Sequence, residues 1–590
     1  MGGRTDRQTL MDVALGKKPA DLAIRNGKFV NVLSGEIYKA DVAIKGDRIA
    51  VVGDIEQAVA KTTKIFDATD RYLLPGFVDA HIHIGGSHLS MTRWAETFLT
   101  NGTTAIASDL YDIGVVAGVK GVRFALDEAL ETPMKMLFVL PVVAYLQQKP
   151  FGSTEKILRE DLLEMLSWKE TVGINEPPPD PILNREPVML ELFEKTLEMG
   201  KVVVGHASET FGKRLDAYLC MGPYSDHECL TGEEAVSKLR LGMSIMMREG
   251  SAAVDASQVV RAITEYGMPP HLFMFCTDER DPVDLYNQGH LNFTVKKAIR
   301  EGLNPIDAIQ IATINPARYF RKDHEIGSIT SGKLADILIA DGLTTLNLDV
   351  VIASGRVVVE KKKYVGPVNK VNYPDYMKAV LNFGRKIELK DLAIETNSKK
   401  EEVTVRVAHA MDGTLLSKRK TAELKVKNEE VLPDVRQDIA KMVVLERHNA
   451  TGQIGKAFVS GFGLKRGAFV QSYHPVNENV VVLGTNDQDM LTAIHELEKM
   501  GGGFVVLEDG KVKASLSLPI LGVLSDEPLE KVKDGFEKVT NAIHSLGSHF
   551  KSPILSLAFM AMAYGIPTYK LSEYGLVDVE KGELVNVIMD

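Results

Sequence analysis

His81 and His83 stand two residues apart in the run Pro75-Gly-Phe-Val-Asp-Ala-His81-Ile-His83, at the end of an apolar stretch. On a strand, residues i and i+2 project from the same face, so both imidazoles can converge on one cation. His88, in the loop that follows, is a third and weaker candidate. More groups of the same kind recur downstream, each ending an apolar run: His206 after Val202-Val-Val-Gly, His227 in Ser225-Asp-His-Glu, and Asp278 after Phe273-Met-Phe-Cys-Thr. A divalent cation lowers the pKa of water bound to it and so generates a nucleophile near neutral pH. A carboxylate beside both, here Asp278, can take the proton and pass it to a leaving nitrogen.

These side chains need a scaffold that brings distant strand ends together. Between residues 72 and 322 apolar runs alternate with helical patterns, the signature of βα repeats. Eight strands are expected: Leu74–Ile82, Thr103–Ser108, Leu137–Ala144, Met165–Thr171, Val202–His206, Ser225–His227, Met243–Met247 and Leu272–Asp278. Eight such units in about 250 residues make a (β/α)8 TIM barrel, whose active sites lie at the C-terminal strand ends. Strand four offers Lys169 and Glu170, and only one of these neighbours can face the site. A glutamate could bridge two cations directly, whereas a lysine would need a carbamate.

Flanking segments are β-rich. Asp21 to Arg25 runs into the hairpin dipeptide Asn26-Gly27, and Ala40–Ile44 and Arg48–Val52 flank the turn Lys45-Gly46-Asp47. A matching pattern returns at Leu334–Ala340, Val350–Ala353 and Arg356–Glu360. The expected organisation is a composite β-sandwich domain (1–73 plus 325–365), a metal-dependent TIM-barrel domain (74–324) and a C-terminal α+β domain (366–590), an α/β protein overall. In the last block, Val403–Val407, Glu423–Val426, Phe469–Gln471, Val480–Leu483 and Gly503–Leu507 are strand-like. Asp487–Met500 and Leu529–Ser545 are helical. Gly501-Gly502-Gly503 reads as a helix cap or tight turn rather than a phosphate loop, because no lysine or GxGxxG frame accompanies it.

The 590 residues exceed one hydrophobic core, and a formal charge of −10 disfavours nucleic acid as a partner. No window approaches the roughly 20 apolar residues of a membrane span, and no secretory signal is expected. Three cysteines, Cys220, Cys229 and Cys276, make no disulfide framework and suit a reducing compartment. Cytoplasm is the expected location.

At these motifs the chain resembles the amidohydrolase superfamily and, within it, the bacterial adenine deaminase family. The resemblance spans nearly the whole chain: Ala14 to Leu22, Gly27 to Gly35, Pro75 to Ile84, Ser225-Asp-His-Glu, Arg248-Glu-Gly-Ser-Ala-Ala, Cys276-Thr-Asp, Gly289-His290, Asn315-Pro-Ala, Gly484-Thr-Asn-Asp and Gly575-Leu-Val-Asp-Val. It implies a binuclear centre of two divalent ions (manganese, iron or zinc) held by His81, His83, Glu170, His206, His227 and Asp278. Glu170, not Lys169, would be the bridge, and Glu170 and Asp278 the catalytic carboxylates. Arg248, Glu249 and Ser251, with Asp109 and Glu279, would face a small heterocyclic substrate. A homo-oligomer is expected by analogy with related barrel enzymes.

Four departures from the family pattern stand out. Gly85 replaces an acidic residue just after the HxHx run. Asp109-Leu-Tyr111-Asp112 replaces Asp-Pro-His-Glu. Thr277-Asp-Glu279-Arg280-Asp281 replaces Thr-Asp-Asp-Arg-His, and His474-Pro-Val-Asn-Glu-Asn replaces a histidine-rich run. Three readings therefore stay open: deamination of adenine or a related aminopurine, opening of a purine-, pterin- or hydantoin-like ring by a cyclic amidohydrolase, and a non-catalytic scaffold of the same fold.

Overall fold

The computed structural model describes residues 5–146, 156–251, 253–378, 380–412, 414, 416–563 and 568–589. Its centre is a barrel of eight parallel strands: Phe77–Asp79, Thr103–Ser108, Lys135–Leu140, Thr171–Ile174, Val202–Val203, Ser225–Asp226, Ser244–Arg248 and Phe273–Cys276. The first five form one continuous sheet and the last three another. Two seams join them. At the fifth and sixth strands Val203 bridges Pro223, and Gly205 N–H donates to Ser225 Oγ at 3.2 Å. A Cβ at position 205 would lie 2.2 Å from the Ser225 carbonyl oxygen, so only glycine permits this approach.

The second seam closes strand eight on strand one. Asp278 N–H donates to His81 O, and His83 N–H donates to Asp278 O, each at 2.9 Å. Beneath them the buried Asp79 carboxylate accepts from Thr277 Oγ1 at 2.7 Å and from the Thr277 and His81 amides at 3.2 Å each. His290 Nε2 stands 3.2 Å from Asp79 Oδ2, the oxygen that accepts from Thr277 Oγ1, with the ring stacked on Phe98. Burial pushes the Asp79 carboxyl up to about 7, against these hydrogen bonds.

The fourth strand begins later than expected. Met165 belongs to a helix, Arg159–Ser167, which buries Leu162, Met165 and Leu166 against the barrel. The apolar spacing read as a strand is the inner face of this helix. The strand itself, Thr171–Ile174, pairs with Phe138–Leu140. Glu170 therefore precedes the strand and lies at the end of the barrel opposite the catalytic mouth.

Strands from both flanking segments share one seven-stranded antiparallel and parallel sheet, in which Ile337–Ala340 pairs with Tyr72–Pro75 and Lys28–Asn31 joins the other side. A four-stranded sheet faces it, and Ile24, Val42, Ile44, Leu73, Ile337 and Ile352 fill the space between. Asn26-Gly27 is not the tip of a hairpin. Leu22–Arg25 belongs to the four-stranded sheet and Lys28–Asn31 to the seven-stranded one, so the dipeptide carries the chain between layers. The dihedral φ of +65° at Asn26 makes this sharp step.

The C-terminal part is a nine-stranded sheet with helices Asp487–Met500 and Leu529–Ser545 against it. Gly501, at φ +75°, caps the first of these helices. Four strands of this sheet, Ile439–Leu445, Ile454–Ser460, Lys511–Ser517 and the two-residue Glu430–Val431, were not evident from the sequence. The first is buried at every position and so shows no alternation. This domain docks on the loop after the first barrel strand: Ser90 N–H donates to Ser525 O at 2.8 Å and Ser525 N–H to His88 O at 2.9 Å. Among the described residues, no helix is long and apolar enough to cross a membrane.

The second seam generates a stability prediction. Thr277→Val keeps the side-chain shape but leaves a buried Asp79 oxygen without its closest donor. The expected loss is about 1–3 kcal/mol, measured as a lower urea midpoint with an unchanged m-value.

Candidate active site

Residues just after barrel strands one, four, five, six and eight contribute to one cluster at the C-terminal mouth. At its centre is Glu176, two residues beyond the fourth strand. Its Oε1 lies 3.1 Å from His83 Nε2, and its Oε2 lies 3.5 Å from His81 Nε2, 3.6 Å from His206 Nδ1 and 3.3 Å from His227 Nε2. Asp278 Oδ1 approaches the same pair from the eighth strand, 3.8 Å from His81 Nε2 and 3.6 Å from His83 Nε2. His81 and His227 stack at 4.1 Å between ring centres.

The outward nitrogens are held. His81 Nδ1 lies 3.2 Å from Asn175 Oδ1, and His83 Nδ1 lies 3.3 Å from Asp109 Oδ1. Asn175 Nδ2 in turn donates to Asp109 Oδ2 at 2.9 Å. Anchoring one ring nitrogen fixes the tautomer and aims the other inward, the arrangement that metal-ligating histidines use. Burial and the neighbouring His227 hold His81 well below the usual histidine range, so this imidazole is a neutral donor. Burial alone would push the Glu176 carboxyl up, but His83 and His81, aided by His206 and His227, hold it well below the usual carboxylate range. Asp278 is opposed by burial in the same way, yet Arg248 and the histidines lower it to about 2.

His206 and His227 owe their placement to a buried ion pair behind them. Asp226 Oδ1 accepts from Ala207 N–H at 2.8 Å, and its Oδ2 accepts from Lys238 Nζ at 2.8 Å. The ammonium also donates to Ala207 O at 2.8 Å and Glu234 Oε1 at 2.7 Å, and none of it is exposed. Loops five and six are thus clamped to one helix. Backbone strain collects at the mouth as well: φ is +58° at Asp278 and +33° at Glu176.

The donor set fits divalent cations. Among the described residues, His81 Nε2 and His206 Nδ1 are buried without a hydrogen-bond partner, which costs stability unless something else satisfies them. Sets of three ligand atoms mutually within 4.8 Å include His81, His83 and Asp278, then His81, Glu176 and His227, then His206, His227 and Glu228. Imidazole and carboxylate together suit zinc, manganese or iron.

Of the residues expected from the sequence, His81, His83, His206, His227 and Asp278 meet in this cluster. Glu170 does not. Its carboxylate bonds Arg123 Nη1 at 3.4 Å and lies 3.6 Å from Lys169 Nζ, and both residues line a pocket with Lys135, Lys322 and Glu325 at the opposite barrel end. Lys169 is mostly exposed, so neither neighbour can serve as a bridge. Glu176 takes the position assigned to Glu170. Arg248 reaches the site: Nη1 donates to Asp278 Oδ2 at 3.1 Å and pairs with Glu228, while Nη2 donates to Asp255 Oδ2 at 2.9 Å. Glu249 points elsewhere, onto Lys297 Nζ at 2.8 Å, and Ser251 donates to Asp284 Oδ2 at 2.7 Å, so both brace the outer wall. Asp109 supports His83, and Glu279 accepts from Tyr473 Oη at 2.9 Å. His88 leaves the site altogether and packs among Tyr473, Phe504 and Phe536.

Sequence reading missed Glu176, Asn175 and Glu228. A usable signal existed: Asn175-Glu176 is the polar end of Thr171-Val-Gly-Ile174, as His206 is of its own strand.

A closed eight-stranded barrel with an HxH pair just after strand one and an aspartate just after strand eight defines an amidohydrolase, and residues 72–360 match the model of the amidohydrolase family. Residues 414–583 match that of the adenine deaminase C-terminal domain. Proteins named adenine deaminase are similar along the whole chain. The one from Clostridium botulinum is 36% identical over 587 residues, 99% of this chain and 98% of its own. Those from Mesorhizobium japonicum and Moorella thermoacetica are each 36% identical, over 585 and 581 residues, covering 98% of this chain and 96% and 97% of their own. The chain belongs to the adenine deaminase family.

Exchanging the two glutamates separates the two placements. Glu176→Gln should lose most of its divalent metal on elemental analysis of protein purified without chelator. Glu170→Gln should retain the wild-type content. The reverse result would return the bridge to Glu170.

Proposed function

We propose that this protein hydrolyses adenine or a closely related aminopurine to the corresponding oxopurine and ammonia. The observation that carries the reading is Glu176, shared by four imidazoles, with the Asp278 carboxylate beside it. The full-length similarity to proteins named adenine deaminase supports the choice of substrate.

Two divalent cations per chain, of manganese, iron or zinc, would be held by His81, His83 and Asp278 on one side and His206 and His227 on the other, with Glu176 between. When bound, they supply the Lewis acidity that makes water nucleophilic near neutral pH. Arg248 fixes Asp278 Oδ2, which leaves Oδ1 facing the histidines. An acid held at about 2 is ionised at working pH and acts as a base. Asp278 takes a proton as water adds to the amine-bearing ring carbon. It then gives that proton to the exocyclic nitrogen, the C–N bond breaks and ammonia leaves as the ring C=N re-forms, and the proton of the new hydroxyl moves to the adjacent ring nitrogen to give the oxopurine. Burial of the site keeps bulk water from competing with this transfer.

The domain limits that accompany this reading are 1–73 with 325–365, 74–324 and 366–590. A cytoplasmic homo-oligomer in purine metabolism is the setting we propose.

Adenine incubated with metal-loaded protein should release ammonia stoichiometrically, with the ultraviolet spectrum moving to that of the oxopurine. Asp278→Asn should lower kcat by about 10²–10⁴-fold, and His83→Ala should abolish turnover with the far-ultraviolet circular dichroism retained. A ring-opened product without ammonia would favour a cyclic amidohydrolase instead. Near-wild-type activity in either variant would discard the assigned site.

A further inference from the structure

The two pairs of imidazoles in the cluster are held in different ways. His81 and His83 follow the first strand, and side chains anchor their outer nitrogens: Asn175 for the one, Asp109 for the other. For His206 and His227 the support comes through the main chain. His227 Nδ1 is buried without a hydrogen-bond partner among the described residues. His206 N–H donates to Tyr218 Oη at 3.0 Å. The next residue, Ala207, is gripped at both its amide and its carbonyl, by Asp226 Oδ1 and Lys238 Nζ, each at 2.8 Å. Asp226 immediately precedes His227. One ion pair therefore fixes the backbone beside both rings.

Lys238 lies in the last turn of the helix Gly232–Leu239 and has no exposed surface. Burial opposes its charge, but Asp226 above all holds the ammonium higher than the usual lysine range. Asp226, Cys229 and Glu234 bring possible ligand atoms within 4.8 Å of one another. The ammonium donates to both carboxylates, at 2.8 Å and 2.7 Å, so a cation belonging to the chain already serves these acids. None of these contacts runs to His81, His83 or Asp278. That half is braced instead by Asn175, Asp109 and the Asp79–Thr277 seam.

We propose that Lys238 is a positioning residue for one half of the cation centre. Through Asp226 and Ala207 it sets His206 and His227, and so governs the second cation separately from the one held by His81, His83 and Asp278. The inference rests on the two-cation reading above. Groups that orient metal ligands from one layer out change metal affinity by about 10–100-fold, and here that layer is divided between the two halves.

The test titrates manganese into chelator-stripped, full-length protein. Calorimetry reads the two affinities, and electron paramagnetic resonance distinguishes a coupled pair of ions from an isolated one. Wild type should take up two ions per chain and show the coupled spectrum. Lys238→Met should bind the first ion with wild-type affinity and the second about 10–100-fold more weakly. The spectrum of an isolated ion should then persist at concentrations that give wild type its pair. Lys441→Met is the control: it removes a buried lysine from Glu430 and Asp487 in the C-terminal sheet and should keep the pair. A Lys238→Met protein that keeps both ions or loses both alike, or the same selective loss in Lys441→Met, overturns the proposal. Should Lys238→Met fail to fold, Asp226→Asn combined with it, which removes the stranded charge, decides by the same measurement. A wild type that holds a single ion would instead sink the two-cation reading itself.

Discussion

Four imidazole rings surround the single carboxylate of Glu176 in a largely buried space that opens beside His206, and much of the architecture serves that crowding. A buried anion is costly unless it is paired, and four neutral or partly charged donors without a cation would leave ring nitrogens stranded. The barrel solves the geometric part by delivering each group from a different strand end. The anchoring of the rings is done one layer out, by Asn175, Asp109 and the Asp226–Lys238 pair. This outer layer explains why residues remote from any substrate matter to the chemistry. A lysine with no exposed surface keeps two histidines in register by holding the loops that carry them.

Much of this was legible in the sequence where the local period was unambiguous. The HxH pair, the polar ends of strands five, six and eight, and the helices Asp487–Met500 and Leu529–Ser545 follow from alternation and from amphipathic spacing. The fourth strand did not, because Leu162, Met165 and Leu166 form an apolar helix face that a short window cannot tell from a buried strand. That slip put the expected bridge at Glu170, at the end of the barrel opposite Glu176. Glu249 was misplaced for a different reason. It neighbours Arg248, and adjacent strand residues face opposite sides, so one entered the site and the other the surrounding helices. The contact of Tyr473 with Glu279 could not be read at all, since it depends on how two distant domains dock.

The departures from the family pattern make sense together rather than singly. Glycine at position 85 is required by the Asp112 and Tyr473 atoms that occupy its side-chain space. Tyr111 lies against His83, with 4.7 Å between ring centres, without competing for a cation. Changes in three segments therefore amount to one remodelled corner, while the cluster around Glu176 keeps its donors.

His88 has a consequence for how the molecule comes apart. Its ring is plugged among aromatic groups of the C-terminal domain, burial pushes it down to about 4, and Val523 O lies 3.1 Å from its Nδ1. Cutting the chain behind the barrel would expose that socket and, at the same stroke, loosen the loop that starts at His83. A catalytic fragment without the C-terminal lobe would therefore lack the packing that holds its own first loop.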